Sequence, residues 1–124
     1  MSKLTDEQVK VLQGKHLAYL ATINPDGSPH VTPVWVDTDG SAVIMNTALG
    51  RIKVRNLRID PRVMIAVNDS ANPVATQVLI RGRAELIEEG ATEVIDSLAK
   101  KYIGAEKYPW LQPGERRVTI RVVP

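Results

Sequence analysis

The sequence predicts a mainly β chain with peripheral helices: six short antiparallel strands curled into a barrel. Three observations carry this. Apolar runs of strand length recur along the chain, most are separated by Pro-, Asn-, Asp- and Gly-rich turns, and few segments show a helical period. Tight turns join strands as hairpins and leave no room for the crossovers a parallel sheet needs. With 124 residues and no linker-like or low-complexity segment, residues 1–124 are expected to form one domain.

The elements follow in order. Thr5-Asp6-Glu7-Gln8 is a capping box that starts a helix running to about Gly14. His16 to Ile23 is a strand with both faces largely apolar, and Asn24-Pro25-Asp26-Gly27 turns it back. His30 to Asp37 is the second strand, Asp37-Thr38-Asp39-Gly40 the next turn, and Ala42 to Thr47 the third strand. Gly50 to Leu57 forms a short helix that ends before Pro61, which disfavours helix at Asp60. Arg62 to Asn68 is the fourth strand. Thr76 to Ile87 is a long fifth strand with Gly82 as a bulge or bend. Ala91 to Ile103 is an amphipathic helix capped by Gly104, and Arg117 to Val123 closes the barrel.

Composition narrows the function classes. The chain has no cysteine, which excludes disulfides, thiolate catalysis and cysteine-ligated metals. His16 and His30 are the two histidines, and neither has a partner at metal-ligand spacing, so no metal site is expected. The N-terminus lacks a signal-peptide pattern and no apolar run is long enough to span a bilayer, so a cytoplasmic protein without membrane contact is expected. Net charge is +2, but residues 51–62 alone carry +4. Such a local excess suits an anion site. No aromatic residues interleave it, which argues against nucleic acid. There is no nucleophile elbow, Walker loop or dinucleotide-binding glycine pattern. If the chain is an enzyme, its difficult chemistry therefore has to come from a bound cofactor.

Three features carry candidate chemistry. Pro33 interrupts a strand, so the ladder is open there or the strand lies at an edge; plain edge protection accounts for it equally. In Met45-Asn46-Thr47-Ala48-Leu49-Gly50-Arg51-Ile52-Lys53 a strand feeds the start of a basic helix, where free N–H groups and Arg51 and Lys53 can bind a phosphate. A merely solvated basic face, with Arg51, Arg55 and Arg58 aligned, is the competing reading. Gln77 offers an amide that can both donate and accept against a heterocycle edge.

The segments LATINPDGSPHVTPVWV (residues 20–36), NTALGRIKVRNLRIDPRVMIAV (46–67) and TQVLIRGRAELI (76–87) together resemble the pyridoxamine 5′-phosphate oxidase-like superfamily, in particular its F420-dependent branch. The resemblance implies a split β-barrel of the FMN-binding-protein type, working as a homodimer with cofactor at the subunit interface. It implies a cofactor ring along Thr32, Pro33 and Val34, and Asn46 and Thr47 near the ring and its ribityl chain. It places Arg51, Ile52 and Lys53 at the phosphate and Gln77 against the flavin, and lets Trp110 cover the site from the partner. The expected activity is reduction of an unsaturated small-molecule substrate by coenzyme F420, with FMN as the alternative cofactor. A non-catalytic carrier of the same fold is the rival. The chain departs from the pyridoxamine-oxidising members: HVTPVWV lacks an Arg-x-x-x-x-Lys pattern, and little sequence follows the last strand. Arg55 and Arg58 suit the anionic tail of F420, and Val34, Trp35 and Met45 are expected to give a dry surface.

Overall fold

In the computed structural model, residues 3–74 and 76–124 are described. The chain order is α1 (Asp6–Gln13), β1 (Ala18–Ile23), β2 (Pro29–Val34), β3 (Asp37–Thr38), β4 (Val43–Ala48), α2 (Ile52–Ile59), β5 (Arg62–Val67), β6 (Val78–Ile87), α3 (Ala91–Ile103) and β7 (Arg117–Val123). The strands form one sheet in the order β2-β1-β5-β6-β7-β4-β3, antiparallel throughout. No helix among the described residues is long and apolar enough to cross a membrane.

The expected six strands become seven. The second predicted strand stops at Val34, and Asp37–Thr38, assigned to a turn by sequence, pairs with Ile44 and Val43 as a separate strand. The physical reason lies at Val36. Its N–H donates to the Tyr102 hydroxyl at 3.1 Å and its carbonyl accepts from Lys101 Nζ at 2.5 Å. With its backbone groups occupied by α3 side chains, Val36 leaves the ladder. Its side chain is fully buried all the same.

That break determines the shape of the sheet. β2 and β3 are its two opposite edges, yet only Trp35 and Val36 separate them in sequence. Three peptide units reach roughly 11 Å. The edges must therefore approach each other at this corner, and the sheet curls into a half-barrel around Leu20, Met45, Ile65, Ile120 and Val122. Lys101 Nζ also donates to the Leu12 carbonyl at 2.8 Å, and the Tyr102 hydroxyl to the His16 carbonyl at 2.5 Å. So α3 clamps the corner and the end of α1 together.

Other sequence expectations hold with small shifts. Thr5 and Gln8 form the reciprocal capping box. Gly104 ends α3 at φ +70°, the left-handed conformation glycine adopts without a Cβ penalty. At Gly82 no bulge interrupts β6. Instead β6 passes from pairing with β5 to pairing with β7 at this point, and a Cβ would stand 2.6 Å from the Val123 carbonyl. α2 begins two residues later than expected, with Arg51 as its N-cap.

Candidate functional site

The site grows from the end of β4. Asn46, Thr47 and Ala48 pair with Thr119, Val118 and Arg117 of β7. Successive side chains alternate, so Asn46 and Arg117 share one face while Thr47 shares the core face with Met45. Asn46 is nearly buried; its amide donates to the Ala91 carbonyl at 2.8 Å and its oxygen accepts from Arg117 Nε at 2.9 Å.

Beyond Ala48 the chain turns at Leu49-Gly50 into α2. Arg51 caps the helix with backbone only, and no acidic residue stands in the first turn. The N–H groups at the helix start are thus left for an external acceptor. Lys53 is half-buried. Burial first, then the charges of Arg51 and Arg117, push its pKa below the ordinary lysine range. A lysine depressed by neighbouring cations marks a positive cluster without its counter-charge. Neither Arg51 nor Lys53 has a salt-bridge partner among the described residues.

Next to this cluster lies a cavity of about 270 Å³. Pro33, Val34 and Asn46 line it, together with Trp35, Arg117 and residues of α3. Tyr108 and Trp110, from the loop before β7, form its outer wall. The aromatic rings make one assembly. Trp35 stacks on Tyr102 with centroids 5.3 Å apart and planes 6° from parallel, and Tyr108 and Trp110 lie 6.2 Å from Trp35. The cavity can take a planar apolar ring, with polar atoms from Asn46 and Arg117 at one end. Thr32 precedes Pro33 on β2, the sheet edge, and its buried hydroxyl is the one such side-chain atom without a partner among the described residues.

Of the residues singled out by sequence, the fold thus brings Pro33, Val34 and Asn46 into one cavity, with Arg51, Ile52 and Lys53 at the adjoining helix start. Thr47 faces the interior. Gln77 lies elsewhere in the same chain, between two cavities of about 520 and 380 Å³. The larger, under α1, carries neither the cation cluster nor the aromatic assembly. Arg55, expected to face an anionic tail, instead donates to Asn56 at 3.1 Å and Asn24 at 3.5 Å. Trp110 sits on its own chain's cavity. Arg117 and Tyr108 were missed by sequence reasoning: Arg117 looks like ordinary surface charge before a strand, and only the β4–β7 register places it beside Asn46.

A family profile described as pyridoxamine 5′-phosphate oxidase matches residues 4–123. Among solved structures, one named an F420 reductase superposes with a TM-score of 0.80 at 28% identity, covering 93% of this chain and 90% of that one. A conserved hypothetical protein from Mycobacterium tuberculosis superposes with a TM-score of 0.74 at 30% identity, covering 97% and 80%. General stress protein 26 from Bacillus anthracis, at 15% identity and a TM-score of 0.68 over 96% and 87%, shares the fold. With the profile spanning nearly the whole chain and the half-barrel shared with these structures, the protein belongs to the pyridoxamine 5′-phosphate oxidase family.

Proposed function

We propose that the protein is an oxidoreductase that binds a phosphorylated tricyclic cofactor, coenzyme F420 in preference to FMN, and reduces an unsaturated organic substrate with it. The observation that carries this reading is the uncompensated cation cluster at the start of α2, linked through Arg117 to an aromatic-walled cavity of about 270 Å³. The likeness to an F420 reductase supports the choice of cofactor.

The residues present fit such a group. Arg51, Lys53 and the N–H groups of α2 would hold the phosphate by charge-assisted hydrogen bonds. Pro33 and Val34 would lie along the ring and Asn46 would meet its polar edge; Thr32, expected beside the ring, instead stands opposite the core residue Leu20 and does not line the cavity. When bound, the cofactor supplies hydride chemistry. The chain's own part is placement and exclusion of water: Trp35, Tyr108 and Trp110 wall the cavity, and no carboxylate or histidine lines it to act as a proton donor. The proton needed to complete a reduction would come from solvent or from the Tyr108 hydroxyl in the cavity wall.

The outer face of the half-barrel supports a homodimer. Tyr19 lies opposite Pro33 and Ala66, Ala66 opposite Leu79, and Ala21 opposite Val31 and Met64. Tyr19, Val31, Met64 and Leu79 are 48%, 55%, 37% and 52% exposed. Arg81, opposite Met64, borders these residues on the same face, and an exposed apolar patch of this kind calls for a partner. Gln77, next to β6 at the margin of this face, would reach the partner's cofactor.

Parallel titration with F420 and FMN tests the reading. F420 should bind more tightly, and reduced F420 should be oxidised when an acceptor is added. A clear preference for FMN overturns the cofactor assignment. Tight binding with no turnover against any acceptor favours a carrier.

A further inference from the structure

A third cation reaches the start of α2 from the far end of the chain. Arg117 opens β7 and lies opposite Ala48, the last residue of β4. The Leu49 N–H donates to the Arg116 carbonyl at 2.9 Å, and the Arg51 N–H to the Ala48 carbonyl at 3.4 Å. The segment that starts α2 is thus pinned to the one that carries Arg117.

The Arg117 side chain is only 7% exposed. Nε is committed to Asn46, Nη1 stands 3.4 Å from Glu115, and the guanidinium lies 5.0 Å from the centre of the Tyr108 ring. These contacts fix its plane. Nη2 makes no hydrogen bond among the described residues. Burying a guanidinium beside two more cations is unfavourable, and Glu115 offsets one charge of the three. The repulsion registers at Lys53, which feels Arg117 directly.

Resting on the cofactor reading above, we propose that Arg117 is the third phosphate ligand, so that the anion is gripped between the start of α2 and the start of β7. A phosphate then neutralises a cluster that otherwise lacks its counter-charge. Arg117 also joins the two halves of the site, since it lines the aromatic cavity and holds Asn46.

The test compares ligands that differ in the phosphate. Wild type, Arg117→Gln and Arg117→Lys are titrated with F420, with FMN, with riboflavin and with inorganic phosphate alone, and the unliganded melting temperature of each is recorded. Loss of one charge-assisted contact should weaken FMN and phosphate binding by about tenfold or more in Arg117→Gln. Riboflavin binding should change little, and Arg117→Lys should recover part of the loss. Equal losses for FMN and riboflavin would assign Arg117 to the ring through Asn46 and overturn the proposal, as would unchanged phosphate affinity. If Arg117→Gln does not fold, the lysine variant decides: the same affinity for phosphate and for FMN as wild type, or equal losses for FMN and riboflavin, overturn the proposal. Arg117-dependent phosphate binding without any flavin or F420 binding would leave this proposal standing and remove the cofactor reading. Wild type that binds none of these ligands ends both.

Discussion

At the scale of single residues, the cation cluster at the start of α2 is unfavourable to the fold on its own. Arg51 and Lys53 have no acidic partner in the described structure, and Lys53 is destabilised as a charge by burial and by its neighbours. Removing them should therefore cost the fold nothing. We expect Arg51→Ala with Lys53→Ala to melt at the same temperature as wild type or higher without ligand. Two lost charge-assisted hydrogen bonds, each about 1.5–3 kcal/mol, should weaken cofactor binding by roughly 100-fold or more. Calorimetric titration beside a thermal melt checks both halves; undiminished affinity would remove the cluster from the site. Asn56 is the opposite kind of residue. It is fully buried, and its amide donates to Thr22 at 3.1 Å and to Asn24 at 3.0 Å. Asn56→Ala should destabilise by about 1–3 kcal/mol in urea unfolding, because Thr22 is left buried without its donor.

At the scale of elements, the short connections do specific work. The Asn56 network fastens α2 to the end of β1 and the turn that follows it. The turn from β3 to β4 rests on Asp39. Its partial burial raises the carboxyl pKa, but the N–H groups of Ser41 and Ala42, the Ser41 hydroxyl and Arg121 outweigh this and lower it from 3.8 to about 2. A folded value below the unfolded one gives stability that is fully present above pH 3.8 and lost as pH falls towards 2. The melting temperature should fall across that window, and more shallowly in Asp39→Asn, which lacks the titrating group. Identical acid limbs for the two proteins would assign the loss to other carboxylates. In α3, Lys101 and Tyr102 hold the corner where the two sheet edges meet, and Trp35 stacks on Tyr102 there. The barrel closure and the cavity wall are thus one piece of structure.

At the scale of the whole molecule, the exposed outer face is the feature a monomer explains least. An antiparallel sheet can leave one face to water, but that face is then polar. Here, beside Arg81, it carries Tyr19, Val31, Met64 and Leu79 exposed. Light scattering should report a dimer. Leu79→Glu places a charge on the apolar patch, so it should shift the population to monomer while the fold persists by circular dichroism. A Leu79→Glu protein that remains dimeric would move the interface elsewhere.

Sequence alone determined the local structure, because the signals involved are local. The capping box at Thr5 and Gln8, the limits of α3 and β7, the edge position implied by Pro33 and the basic start of α2 all depend on residues a few positions apart. The family followed from the order of those motifs. Tertiary structure decided what depends on long-range register and competition for backbone groups. Val36 leaves the ladder because side chains 65 and 66 residues away take its N–H and carbonyl, and this splits one expected strand in two. Arg117 meets Asn46 across 71 residues, Arg55 turns back to Asn24, and Thr47 faces inward while Asn46 faces the cavity. A residue's type and neighbours set what it can bind. Only the pairing of distant strands sets what it faces.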